Sequence, residues 1–494
     1  MQKEYGNKIK NATKWSSVTE IMSKLISPIV NMVLARLLAP EAFGVVATIT
    51  MVISFAEIFT DAGFQKYIVQ HEFETEDELN KSTNVAFWTN LAISSIMCIG
   101  IFFLRHRIAN LVGSSGLGNS ISIASVLIIV AAFSSIQMAR YKRDFDFKTL
   151  FFVRIATSMI PLVITLPLAF VLRNYWALLI GTFANQLFNA IVLTVKSKWR
   201  PSFYYSFSRL KEMFSFSAWT LLESISIWVT SYIGIFIVGS YLNDHYLGLY
   251  KTSMSTVNSY MSIITAAITP VLFSALSRYQ NDDEKTKETY YSFQRLTATL
   301  IIPMGVGIYI FSELVTMILL GNQWMEASGF IGLWGLISAT AIVYSHSASE
   351  VFRSKGQPKI SMLLQLSHLI FLVPVLIVFV KQDFESFYTA RTLIRLQLVV
   401  TAMLIMRIFY KFKFLDTIKN TLPMLISSCV MGAVGYLVKS LNSEIWWQFV
   451  CVFICIVTYF TVLLLFPKSR KEIFGLDLVQ KILKRKPKIS ESNE

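Results

Sequence analysis

Unbroken apolar runs of about 20 residues recur along almost the whole chain, each long enough to carry a helix across the hydrocarbon core of a bilayer. Inside lipid every backbone N–H and C=O must find a partner within the chain, so runs of this kind fold as helices. Fourteen spans are predicted, near residues 15–38, 42–66, 84–104, 120–139, 149–171, 175–195, 214–241, 246–275, 296–320, 328–352, 360–380, 386–408, 420–438 and 445–466. The joins are short and carry breakers: Pro40, Gly113 to Gly118, Gly321 and Gly356-Gln357-Pro358. Charged residues make up only 15% of the chain, against about a quarter in soluble domains. The expected fold class is an all-α polytopic membrane protein.

The net charge of +15 raises the question of a nucleic-acid partner, and the distribution of the basic residues answers it. With the N-terminus placed in the cytoplasm, about 34 of the lysines and arginines fall on the cytoplasmic side and about 7 on the other. The basic segments include "RYKRDF" from Arg140, "KSKWRP" from Lys196 and "KILKRKPK" from Lys481. This bias predicts both termini in the cytoplasm and no nucleic acid. The acidic run "EFETEDE", Glu72 to Glu78, reads as a solvated cytoplasmic loop. Met1 to Lys14 is polar and basic, so no cleavable signal is expected.

Enzyme motifs are missing from the sequence: it has no glycine-rich phosphate loop, no HExxH and no large polar loop with paired carboxylates. The histidines (His71, His106, His245, His346, His368) are scattered. Cys98, Cys429, Cys451 and Cys455 all fall inside apolar runs, where they read as small packing residues. No catalytic residue, metal site or cofactor is predicted.

An internal repeat is visible. Trp15 precedes Gly44 by 29 residues, and Trp219 precedes Gly248 by the same 29, an offset of 204 between the two units. Each unit holds an apolar span, a short polar break ("LARLLAPEAFGVVA", "GSYLNDHYLGLY") and the start of a second span. Six spans separate the copies, and an even number preserves orientation, so the repeats are parallel about an axis along the membrane normal. The organisation expected is two six-helix bundles, 1–205 and 206–412, two additional helices in 413–466, and a basic cytoplasmic tail, 467–494. Parallel bundles facing one another are a known architecture for alternating access. Prolines within spans (Pro28, Pro161, Pro167, Pro270, Pro303, Pro374, Pro423) permit kinks.

Several spans carry polar residues at helical spacing: Glu20, Lys24, Ser27 and Asn31; Thr50, Ser54, Glu57 and Asp61; Thr182, Gln186 and Asn189. Serines and threonines serve helix packing, but an ionisable group near the bilayer centre costs several kcal/mol and usually marks a transport path. Lys24, Glu57, Glu223 and Arg395 lie about 13 Å inside their spans, and Arg391 is one turn from Arg395 on the same face. Arg154 and Glu350 lie nearer the cytoplasmic ends, and Glu20 is spaced to pair with Lys24. The predicted substrate-binding cations are Lys24, Arg391, Arg395 and Arg154; the predicted cavity or ion-coupling carboxylates are Glu57, Asp61, Glu223 and Glu350. Paired arginines match phosphate oxygens, so an anionic amphiphile is the expected substrate, with coupling to a proton or sodium gradient through Glu57. Arg36 and Glu41 read as parts of a joint, with Pro40 ending the first helix.

"LARLLAPEAFGVVA" followed by "FTDAGFQKYIVQ" (Phe59 to Gln70) resembles the N-terminal signature of the oligosaccharide-exporting flippases of the O-antigen, colanic-acid and teichuronic-acid type. These are the polysaccharide transporters of the multidrug/oligosaccharidyl-lipid/polysaccharide exporter superfamily. "RYKRDFDFKTL", "LGLYKTSMSTVN", "ITPVLFSALSRYQ", "LLGNQWMEA" and "FRSKGQPKI" extend the resemblance, in order, over about residues 12–410. The resemblance implies two six-helix lobes around a cationic cavity, in the inner membrane of a bacterium. It also implies a monomer that moves undecaprenyl-diphosphate-linked oligosaccharides from the cytoplasmic to the outer leaflet. A polysaccharide polymerase or another assembly protein would act afterwards, and membrane lipids are the other partners. Two other readings remain open: a multidrug/cation antiporter of the same superfamily, which would need a negative cavity, and a membrane-embedded polymerase or ligase, which would need a large outward loop.

Overall fold

The structure is a computed structural model that describes residues 2–61, 63–467 and 469–470; it describes their side chains except at 2–14, 16, 17, 21, 61, 70, 215–220, 222, 223 and 358. The tail predicted at 467–494 therefore lies almost wholly outside the described residues.

Fourteen helical segments are long and apolar enough to cross a membrane. In chain order they are α1 (Gln2–Leu37), α2 (Pro40–Asp61), α3 (Glu76–Leu111), α4 (Ser115–Arg143), α5 (Phe147–Leu172), α6 (Tyr175–Lys196) and α7 (Phe207–Tyr241). Then follow α8 (Asp244–Arg278), α9 (Asp283–Ile310), α10 (Asn322–Ser354), α11 (Pro358–Phe379), α12 (Phe384–Tyr410), α13 (Phe414–Lys439) and α14 (Ile445–Leu464). No strand occurs among the described residues. Because the number of spans is even, the start of α1 and the end of α14 lie at one end of the bundle, called the terminal end below.

Short polar joins set the helix starts. Asn174 caps α6 through the Trp176 N–H at 3.0 Å, and Asn243 caps α8 through the Tyr246 N–H at 3.0 Å. Asp383 caps α12 through the Ser386 N–H at 2.7 Å, and that bond holds its carboxyl below the usual range. Two expectations are corrected. The acidic run is not all loop: Thr75 caps α3, and Glu76, Asp77 and Glu78 form its first turn, where the N–H groups favour negative charge. Pro40 opens α2 rather than ending α1, which stops at Leu37; at the first helical position an N–H has no helical acceptor, so proline forfeits no bond there.

Four spans are interrupted, the first of them α4, which breaks between Ala124 and Val126. Wider turns occur at Pro161–Thr165 in α5, where a proline lacks its N–H, and at Ile342–His346 in α10. α12 breaks between Leu393 and Arg395.

The two six-helix lobes meet along α2 and α8, and the contact is reciprocal. A Cβ added at Gly44 would collide with the carbonyl oxygen of Asp244, and one added at Gly248 with the carbonyl oxygen of Pro40. Gly44 and Gly248 differ by 204 positions, and so do Pro40 and Asp244. Equivalent residues of the repeat thus face one another across the pseudo-two-fold axis. Of the tryptophans that marked the repeat, the Trp219 side chain lies outside those described.

Further interlobe contacts cluster at this same end, opposite the termini. The last carbonyls of α1 lack helical partners, and the other lobe supplies them: Trp324 Nε1 donates to Ala35 O at 2.7 Å, and Gln323 Nε2 to Ala35 O at 2.5 Å and Leu38 O at 2.9 Å. Arg36 Nη2 reaches Ile318 O at 2.6 Å. His245 stands between Glu41 at 2.7 Å and Glu326 at 2.9 Å. Large buried side chains, among them Trp324, Phe330 and Trp334, continue this packing inward. α13 and α14 lie outside the repeat and pack on α9, with Tyr459 donating to Thr299 O at 2.9 Å.

Candidate functional site

Just beyond the Gly44–Gly248 contact, on its terminal side, the lobes part around a cavity of about 320 Å³. α8 runs along it from Tyr250 and Lys251 to Ser262, roughly four turns past Gly248. α7 adds Ser231 and α1 adds Lys24 from the other lobe. Lys24 and Lys251 thus bring positive charge to one space from opposite sides. Lys24 also meets Glu20 at 3.6 Å, the i,i+4 pair expected from spacing. Lys251 has a cation–π contact with Tyr232 at 5.7 Å.

The two arginines of α12 stand one layer behind this wall. Arg391 is only 8% exposed, and its Nε donates to the Tyr250 hydroxyl at 3.1 Å. Its guanidinium lies 5.1 Å from the Trp334 ring, and that of Arg395 lies 4.2 Å from the same ring. Trp334 in turn donates to Asn258 Oδ1 at 3.2 Å. Tyr250 and Asn258 both line the cavity, so each connects an arginine or its aromatic platform to the open space. The Arg391 Nη1 is buried with no hydrogen-bond partner, a donor that polar satisfaction would ordinarily fill.

The remaining predicted residues are dispersed. Arg154 lines a different cavity, inside the N-terminal lobe between α1, α5 and α6. Glu350 is buried and paired with Arg353 at 3.1 Å, near the end of α10. Glu57 is half-buried on α2, one turn from Ser54, which accepts from Trp228 Nε1 at 3.0 Å. The side chains of Asp61 and Glu223 lie outside those described.

Sequence reasoning missed Lys251, Tyr250, Asn258 and Trp334. Lys251 had a usable signal, since it shares α8 with Ser255, Asn258 and Ser262 at intervals of four, three and four residues. An apolar groove of about 540 Å³ is lined by residues of α9, α13 and α14 elsewhere on the molecule.

The chain is 25% identical over 304 residues to the succinoglycan biosynthesis transport protein ExoT of Rhizobium meliloti (strain 1021), covering 62% of this chain and 61% of that protein. It is 20% identical over 320 residues to the lipopolysaccharide biosynthesis protein WzxC of Escherichia coli (strain K12), covering 64% and 63%. The match thus spans less than two thirds of either relative. Among solved structures, the lipid II flippase MurJ in an inward closed conformation superposes with a TM-score of 0.73 at 15% identity, over 94% of this chain and 99% of that one, a likeness of fold. The description of polysaccharide biosynthesis proteins as a family matches residues 33–329, more than half of the chain, and the chain belongs to that family.

Proposed function

We propose that this protein is a flippase for lipid-diphosphate-linked oligosaccharides, carrying undecaprenyl-diphosphate repeat units across the bacterial inner membrane by alternating access. The observation that carries the reading is the cavity between the lobes, cationic from both sides through Lys24 and Lys251 and backed by Arg391 and Arg395. A diphosphate entering from the terminal side meets two ammonium groups directly, and movement of Tyr250 or Asn258 would admit the guanidiniums. The cluster of interlobe bonds at the opposite end closes the exit in this state. Parting those contacts while the terminal side closes would present the substrate to the other leaflet. A cation antiporter would want the opposite charge in this space.

The functional units are residues 1–205 and 206–412, with 413–466 as accessory helices and 467–494 as a basic tail. Both termini are cytoplasmic, following the bias of basic residues. The protein acts as a monomer, and polymerisation of the carried units follows on the far side. Glu57 couples the cycle to a proton or sodium gradient; transport indifferent to both gradients would remove that part of the reading.

The test is flipping of a fluorescent polyprenyl-diphosphate sugar in proteoliposomes. Lys24→Ala with Lys251→Ala is expected to lower the rate at least tenfold, while Lys24→Arg with Lys251→Arg keeps most of it. Unchanged rates in the alanine double variant would overturn the reading.

A further inference from the structure

The cavity inside the N-terminal lobe measures about 460 Å³, within the range of about 300–1,000 Å³ usual for ligand pockets. Its polar lining differs in chemistry from the central cavity. α6 contributes Thr182, Asn185, Gln186 and Asn189, while α5 contributes Arg154 and α1 contributes Glu20. Asn185 spends its amide on Thr157 O at 3.3 Å, and the Thr182 hydroxyl bonds Leu178 O at 2.9 Å. Gln186 and Asn189 are half-buried, and their carboxamides make no hydrogen bond to the protein. Two half-buried carboxamides without a protein partner call for something polar in the space they face.

Carboxamides pair a donor with an acceptor, and so do adjacent hydroxyls on a pyranose ring; Arg154 and Glu20 add a charged donor and a charged acceptor. A phosphate would have no use for three amide oxygens and the two of a carboxylate. The position of the cavity adds a second argument. Glu20 and Lys24 form one ion pair on successive turns of α1, Lys24 lining the central cavity and Glu20 the lobe cavity. One turn of helix is the common wall of the two spaces.

We propose that the N-lobe cavity is a subsite for the neutral, hydroxyl-rich glycan of the carried molecule, with Gln186 and Asn189 as its principal recognition groups. This rests on the reading above, in which the diphosphate sits between Lys24 and Lys251. The glycan then extends from the diphosphate past the Glu20–Lys24 turn into the lobe, and specificity among sugars resides in α6 rather than in the cationic centre.

The experiment compares two probes on the full-length protein in nanodiscs: undecaprenyl diphosphate, and lipid-linked glycan purified from cells that lack this protein. Gln186→Leu with Asn189→Leu is expected to weaken binding of the glycan-bearing lipid by about tenfold or more and to leave undecaprenyl diphosphate unchanged. The isosteric variant Gln186→Glu, measured alongside with its melting temperature, guards against misfolding and is expected to show a selective shift of the same kind. Equal binding of both probes by wild type and variants, or equal loss of both in the two variants, overturns the subsite. Lys24→Ala with Lys251→Ala separates the two readings: it should weaken both probes, and if it weakens neither, the diphosphate assignment itself falls.

Discussion

Gly44 and Gly248, the same position in the two copies of the repeat, lie so close that the amide nitrogen of each is 3.0–3.2 Å from where the other's side chain would begin. A methyl at either position has no flexible neighbour to displace, because the groups it meets are backbone of α2 and α8. Gly44→Ala is therefore expected to push the helices apart and lower stability by about 1–3 kcal/mol. Thermal unfolding of the purified protein checks this, and Gly100→Ala, at a helical glycine with open space around it, should not lower the midpoint.

Trp324 and Gln323 satisfy the end of a helix in the other lobe. Replacing Trp324 with phenylalanine keeps most of the buried ring but removes one of two donors to Ala35 O. The closed end should loosen by about 1 kcal/mol, roughly a fivefold shift toward the state open at that end. Accessibility of a cysteine introduced at Asn258, measured with an impermeant thiol reagent from each side, reports the shift.

Trp334 carries both deep arginines on one ring. Trp334→Leu preserves apolar bulk and removes the cation–π face, so transport should fall at least tenfold. Trp334→Phe keeps a weaker face and loses the bond to Asn258, and an intermediate rate is expected. Rates equal to wild type in both variants would mean that the arginines need no platform.

What the sequence made legible follows from what periodicity and length encode. Apolar run length fixed the spans, and the 204-residue offset foretold that Gly44 and Gly248 are equivalent, although not that they touch. Counting residues from a span's end measures depth along the membrane normal. It says nothing about rotation around the helix or about the layer behind it. Arg391 and Arg395 were accordingly found as deep charges, but their seat behind Tyr250 and Trp334 was invisible. Glu350 and Arg154 show the same limit: one is spent on Arg353, and the other opens into a separate cavity. Lys251 escaped notice because it lies only seven residues from the start of α8, where a lysine ordinarily reaches water.

Cross-linking tests the requirement for separation at the closed end. In a background with the four native cysteines replaced by serine, Glu41→Cys with His245→Cys should be bridged by a short bifunctional thiol reagent. Transport is expected to stop on bridging and to resume when a cleavable linker is cut. Full activity in the bridged protein would exclude opening at this end as part of the cycle.

Glu41 and His245 occupy the same position in the two repeats and bond to each other, with Glu326 on the second ring nitrogen. In a symmetric pair of identical chains, a residue beside the dyad meets its own twin, and two glutamates there would repel. Joining the halves into one polypeptide lifts that constraint, because each member can then mutate alone. A carboxylate facing an imidazole at equivalent positions is a pairing that two identical chains cannot make. The closed end of such a molecule is thus a place where its halves profit from ceasing to be alike.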